Sequence, residues 1–185
     1  MSTRVSSATS LSSSYYLRNF YTNNRSAMKS SARSNFSNTE LAYDDSLALH
    51  RAAKKLKNYK YSDEENSDNI SGTVMAFVST YNNSLDSANN SSSASMKRYA
   101  KQLKKLATKY SDEFEDMGIT VNKDGSLKAN ETLVKKADMD TVKKVFGKDN
   151  GFTSSLYRIS RQMSNSSYDD YYTSIRNGSN INLTV

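Results

Sequence analysis

Ile70-Ser71-Gly72-Thr73-Val74-Met75-Ala76-Phe77-Val78-Ser79-Thr80-Tyr81-Asn82-Asn83-Ser84-Leu85-Asp86-Ser87-Ala88 carries the strongest periodicity in the chain. Ile70, Val74, Phe77, Val78, Tyr81, Leu85 and Ala88 recur at steps of three and four, the spacing of one face of an α-helix. Gly72 weakens only the first turn. Asn89-Asn90-Ser91-Ser92-Ser93 then reads as a loop and the next N-cap.

Upstream, Ser37-Asn38-Thr39-Glu40 forms a capping-box pattern. Leu41, Ala48, Leu49, Ala52, Ala53 and Leu56 follow it at helical spacing. Asp44 and Asp45 stand early, and Arg51, Lys54, Lys55 and Lys57 late, which suits the helix dipole. The spacing predicts a helix over about 39–59, followed by a polar linker from Tyr61 to Ser71. Downstream, Met96, Tyr99, Leu103, Leu106, Tyr110 and Met117 follow a seven-residue pattern with Phe114 one step off it. This predicts a helix over about 93–117 with a short coiled-coil-like seam.

The period then changes. Ile119-Thr120-Val121 and Ser126-Leu127-Lys128 flank Asn122-Lys123-Asp124-Gly125, and Asp-Gly between alternating residues signals a β-hairpin. Asn130 caps a short helix through Leu133, Val134 and Ala137. Asp140 reads as the cap of another through Val142, Val145 and Phe146, which Gly147 ends. A last helix holds Phe152, Leu156, Ile159 and Met163 and heads toward Tyr171, Tyr172 and Ile175. The expected fold is mainly α: a helical bundle with long antiparallel, coiled-coil-like helices and one small hairpin near 119–128. Residues 37–175 form that single domain. Residues 1–36 are a low-complexity tail, disordered or ordered by a partner, and 176–185 an irregular C-terminal tail.

Composition narrows function more than it narrows fold. The chain has 185 residues and a net charge of +7, with 36% apolar residues against roughly 45–50% in ordinary globular domains. The deficit is filled by 33 Ser and 19 Asn, so part of the chain is expected to lie outside a core. No Cys leaves no disulfide framework, thiolate nucleophile or Cys-type zinc site. One His leaves no imidazole cluster for a metal. Six Gly form neither a P-loop nor a GxGxxG fingerprint. No apolar run approaches the roughly 18 residues that cross a bilayer, and the N-terminus carries no apolar signal core. These zeros point away from an enzyme, a cofactor and a small-molecule substrate, and toward work done by surfaces. No residue is assigned catalysis.

Four features remain to be weighed. From Met1 to Thr39 the chain holds five cations and no acid. Tyr15, Tyr16, Leu17, Phe20 and Tyr21 give that segment the apolar contacts of a partner face. The loop from Thr120 to Glu131 places Asn122, Asp124, Gly125, Leu127 and Glu131 at EF-hand spacing, but Thr opens it and Lys128 intrudes. So little negative charge favours a structural hairpin. Lys97, Arg98, Lys101, Lys104, Lys105 and Lys109 form a stripe opposite the seam of the third helix. Its plain reading is a solvated face; its functional one is contact with an anionic partner, nucleic acid or acidic protein. His50 is expected at a helix surface or boundary, and adjacent Asp44 and Asp45 to point to different sides. Among the 13 Tyr, Tyr168, Tyr171 and Tyr172 cluster as filler at the core's edge or as a contact strip.

Two stretches resemble the bacterial flagellar axial proteins. Thr22-Asn23-Asn24-Arg25-Ser26-Ala27-Met28 through Asp44-Asp45-Ser46-Leu47-Ala48-Leu49 is similar to the N-terminal helical region of flagellin. Met117-Gly118-Ile119-Thr120-Val121-Asn122-Lys123-Asp124-Gly125-Ser126-Leu127, then Leu133, Ala137, Val142, Val145-Phe146-Gly147, Gly151-Phe152 and Leu156, resembles the C-terminal region of the filament cap, hook-associated protein 2. Val74, Phe77-Val78 and Tyr81-Asn82 are similar to the helix leading into that region. The resemblance implies a structural or assembly protein that packs with axial partners or with itself, exported to an extracellular flagellum. The reading from charge alone is a cytoplasmic basic module for an anionic partner.

Overall fold

The computed structural model describes Arg33, residues 36–61 and residues 67–179. Among the described residues seven helices and one hairpin follow in chain order. They are α1 (Asn38–Lys57), α2 (Ser67–Asn90), α3 (Ala94–Lys109), α4 (Ser111–Glu115), β1 (Ile119–Val121), β2 (Leu127–Ala129), α5 (Glu131–Lys136), α6 (Met139–Phe146) and α7 (Gly151–Ser179). The mainly helical bundle with one small hairpin is therefore as the sequence predicts.

Helix α1 starts at the capping box. The Ser37 hydroxyl accepts from the Glu40 N–H, and the Ser37 N–H donates back to the Glu40 carboxylate at 2.9 Å. Its partners run antiparallel on both sides. Asn38 reaches Asn90 and the Ser84 hydroxyl donates to the Asp45 carbonyl, which orients α2. Tyr43 meets Tyr168, Ser46 meets Ser167, and His50 meets Ser160, which orients α7. Helix α3 packs on α2 and α7, so α1, α2, α3 and α7 close a four-helix ring.

The α1–α7 and α1–α2 seams are lined by small residues. Ala42, Ser46, Ala48, Leu49, Ala52 and Ala53 are buried on α1 against buried Ser160, Ser164 and Ser167 on α7 and Ser84 and Ser87 on α2. Small side chains let helix axes approach closely, and the buried hydroxyls donate mostly to nearby carbonyls, so they stay satisfied. The heavier core lies at the other end. Phe77, Phe114, Phe146 and Phe152 pack edge to face or tilted, with centroids 5.0 Å apart for Phe114–Phe152 and 5.3 Å for Phe77–Phe146.

That aromatic cluster carries the hairpin. β1 and β2 pair antiparallel, Ile119 with Ala129 and Val121 with Leu127. Ile119 and Leu127 are buried while Thr120 and Lys128 face outward. Gly125 takes φ +88°, the left-handed position that the turn needs and that L side chains rarely adopt. Asn82 holds the second strand from α2 like an added rung. Its amide donates to the Leu127 carbonyl at 2.8 Å and its carbonyl accepts from the Leu127 N–H at 2.8 Å. The Tyr81 hydroxyl donates to the Gly125 carbonyl at 3.1 Å.

Four boundaries differ from the sequence expectation. The third helix does not run to 117: Tyr110 leaves helical geometry at φ −112°, ψ 25°, and α4 starts anew. This break re-phases the chain, so Phe114, out of step with the heptads, is fully buried. The N-cap of α6 is Asp138, not Asp140, because the Asp138 carboxylate accepts from the Thr141 N–H at 2.7 Å and its hydroxyl at 2.8 Å. Helix α2 begins at Ser67, shortening the linker that was expected to reach Ser71. Helix α7 continues to Ser179, so residues 176–179 are helical rather than irregular.

Candidate functional site

The surfaces, rather than a cleft with reactive groups, hold most of the residues singled out in the sequence. Tyr15, Tyr16, Leu17, Phe20 and Tyr21 lie outside the described residues. The described part of the segment that carries them is tied down at its end. Arg33 forms a bidentate pair with Asp45, at 2.8 Å from Nη1 to Oδ1 and 2.6 Å from Nη2 to Oδ2. Asp45 is fully buried, and the Arg33 side chain is 16% exposed. Burial pushes the Asp45 carboxyl above the ordinary carboxylate range. Arg33 and the Ser87 hydroxyl pull against that shift. Asp44, the next residue, is half-buried on a different side of α1, as the sequence predicts.

Two residues before Asp45, at Tyr43, an aromatic strip begins. The Tyr43 ring stacks on Tyr171 at 5.4 Å and meets Tyr168 at 5.7 Å, and Tyr168 stacks on Tyr172 at 6.2 Å. The strip ends in exposed apolar area: Tyr168 is 49% exposed, Tyr172 59% and Ile175 49%. A notch of about 450 Å³ beside it is lined by Tyr43, Ser164, Asn165, Tyr168 and Asp169. Burial, then the neighbouring Asp44 charge, holds the Tyr43 phenol above its ordinary value. By the antiparallel register of the Tyr43–Tyr171 and Ser46–Ser167 pairs, the first turn of α1 lies opposite the Ile175 region of α7.

The lysine stripe is solvated. Lys97, Arg98, Lys101, Lys104, Lys105 and Lys109 are all exposed on α3, opposite buried Met96, Tyr99, Leu103 and Leu106. Lys101, Lys104, Lys105, Thr108 and Lys109 line a shallow groove of about 500 Å³. Arg98 lies over the Tyr99 ring and Lys109 over Tyr110, at 5.5 and 5.3 Å from the centroids.

The hairpin loop uses its own polar groups. Asp124 accepts from the Ser126 N–H at 2.9 Å and hydroxyl at 2.6 Å, and these bonds hold its carboxyl below the usual range. Glu131 pairs with Lys135 at 2.9 Å along α5. Among the described residues no group of three or more acidic or His side chains is placed to hold a metal ion. His50 is half-buried against Tyr157 and 3.4 Å from the Ser160 hydroxyl. Burial first, then Arg161 and Lys54, lowers its pKa. No helix among the described residues is long and apolar enough to cross a membrane.

The structure also assembles a cleft that sequence reasoning did not find. The C-terminal end of α1 supplies Lys57, Asn58 and Tyr59, and Tyr61 follows. Helix α6 and the turn after it supply Asp140, Lys143, Lys144, Gly147, Lys148, Asp149 and Asn150. The volume is about 810 Å³. The two halves stand 79 residues apart at their nearest, Tyr61 and Asp140. The one available sequence signal was the recurrence of Lys at the ends of α1 and α6, which also fits ordinary dipole compensation.

The fold and these surfaces define a small mainly helical bundle with a hairpin, an exposed aromatic strip and two basic faces. The chain matches no protein-family profile, no curated protein and no solved structure.

Proposed function

We propose that this chain is a non-enzymatic structural or assembly protein that works by helix packing, with copies of itself or with axial partners of a bacterial flagellum. The observation that carries the packing half of this reading is the exposed aromatic strip of α7. Tyr168 and Tyr172, beside Tyr43, present about half or more of their surface to solvent. A strip of amphipathic tyrosines suits an interface. It lies within a turn of Asp45, where Arg33 anchors the end of the N-terminal segment. Tyr15, Tyr16, Leu17, Phe20 and Tyr21 then supply apolar contacts toward a partner, and ordering on binding offsets the low apolar content of that segment. The flagellar half rests on the resemblance alone. Tyr81, Asn82, Gly125 and Leu127, which belong to the resembling stretches, are the residues that lock the hairpin to the bundle.

The test is location and assembly together. Shear filaments from the source cells and probe the filament, medium and cytoplasmic fractions with an antibody to the chain. Recovery with the filaments or in the medium is expected. Recovery in the cytoplasm alone overturns the axial reading. Tyr168→Ser/Tyr172→Ser is expected to reduce self-association or recovery with partners while leaving the bundle's helicity unchanged.

A second reading, a cytoplasmic module for nucleic acid or an acidic protein, is favoured by one observation. The six cations of α3 are exposed together, and none forms an ion pair with an acidic side chain among the described residues. Binding to DNA or RNA that falls steeply with salt is its signature. No binding at about 100 mM salt removes it.

A further inference from the structure

We propose that the cleft between the end of α1 and the α6–α7 turn is a binding site for a phosphate-bearing ligand of nucleotide size. The cleft is independent of the aromatic strip and of the α3 stripe. Its residues converge from two places: Lys57 at the end of α1 with Tyr59 just after it, and Lys143, Lys144 and Lys148 from α6 and the following turn. Among the described residues, four lysines and two acidic residues, Asp140 and Asp149, line the cleft. None of the four lysines forms an ion pair among the described residues, although both carboxylates line the same cleft.

The ordinary explanation for lysines at these positions is weakened by what lies beneath them. Two helix C-termini meet here, and unsatisfied carbonyls would attract the ammonium groups. Several of those carbonyls already have neutral donors. The Tyr61 hydroxyl sits against the carbonyls of Leu56 at 2.8 Å and Phe146 at 3.0 Å. The Asn58 N–H donates to Lys54, the Gly147 N–H to Lys143, the Asn150 amide to Lys144, and the Asn150 N–H to Gly147. The Tyr61 hydroxyl thus ties the floor to both walls.

The remaining features select the ligand class. A volume of about 810 Å³ falls within the roughly 300–1,000 Å³ of sites for small ligands. Tyr59 lies 5.1 Å from Tyr61, centroid to centroid, and both line the cleft that gathers the lysines. Lysine paired with a stacking ring is the combination that holds a nucleotide's phosphate and base. A free nucleotide and the end of a single strand share this chemistry.

The experiment titrates the full chain at low salt with three probes: pyrophosphate, ADP and a labelled four-residue oligothymidylate. It uses wild type, Lys143→Glu/Lys144→Glu, and Lys97→Glu/Lys101→Glu as a control on α3. All four substituted lysines are exposed, so folding is checked by helicity and expected to persist. Saturable binding of ADP or the oligonucleotide is expected. It should be weakened at least tenfold by the α6 pair and less than twofold by the α3 pair. ADP competing with the oligonucleotide, and binding alone as well, assigns a free nucleotide; oligonucleotide binding that ADP does not displace assigns a strand end. Absence of binding by any probe overturns the proposal. So does binding that survives the α6 reversal or is lost equally to the α3 reversal. The outcome is separable from the assembly reading, which is scored by location and self-association.

Discussion

Removing the Arg33 guanidinium tests how the N-terminal segment is fastened to the bundle. Asp45 is fully buried, and its carboxylate takes two charged hydrogen bonds of 2.8 and 2.6 Å from Arg33. Bonds of that kind contribute about 1.5–3 kcal/mol each, and stripping one partner from a buried pair costs about 3–5 kcal/mol. Asp45 keeps the Ser87 hydroxyl and can take up a proton, so Arg33→Ala is expected to cost about 2–4 kcal/mol at pH 7. The sign with pH follows from burial. The folded-state pKa of Asp45 is raised above its unfolded value, so its contribution is fully present below the unfolded pKa and is lost as pH rises through the folded one. Arg33 opposes that rise. Without it the folded pKa moves further up and the deficit grows from about pH 4 toward neutrality. Urea unfolding followed by far-ultraviolet circular dichroism, at steps from pH 4 to 8, measures both. Arg33→Ala/Asp45→Asn is expected to recover part of the loss, because no charge is then left buried alone. A deficit under about 0.5 kcal/mol at pH 7, or one that stays constant across the pH range, refutes the reasoning.

Three further outcomes follow from the same structure. Asn82→Ala removes both 2.8 Å bonds to the Leu127 backbone and is expected to cost about 2–3 kcal/mol in urea unfolding, with the hairpin amides losing hydrogen-exchange protection first. Gly125→Ala forces a side chain into φ +88° against Lys104, at about 1–2 kcal/mol, which for a chain of this length lowers the melting temperature by about 2–8 °C. His50 has a lowered pKa because it is buried beside Arg161 and Lys54. The stability it contributes is present above about pH 6.5 and falls as pH drops through the folded value. His50→Gln should flatten that part of the stability curve, and an unchanged slope between pH 5 and 7 counts against the assignment.

The helices, the capping box at Ser37, the Asp-Gly hairpin and most of the core were determined by the sequence itself. Each is a local matter of period, cap or turn, repeated within a few residues. The Tyr110 break was less visible, because a heptad pattern carries through it. Only burial of Phe114 against Phe152 at 5.0 Å, a tertiary event, decides that the helix must re-phase. The same holds for the N-cap of α6, where Asp138 and Asp140 are equal in sequence and backbone geometry chooses. The functional surfaces divide along the same line. The lysine stripe of α3 was legible, because six cations at helical spacing on one element need no partner to define a face. The Arg33–Asp45 pair, the Asn82 rung and the cleft joining Lys57 to Lys143 were not. Their members stand 12, 45 and 86 residues apart, and spacing along a chain says nothing of proximity once it folds back. Short-range steric and hydrogen-bonding preferences settled which elements form. Long-range burial, which follows distance in space, alone decided which charges and aromatic rings meet.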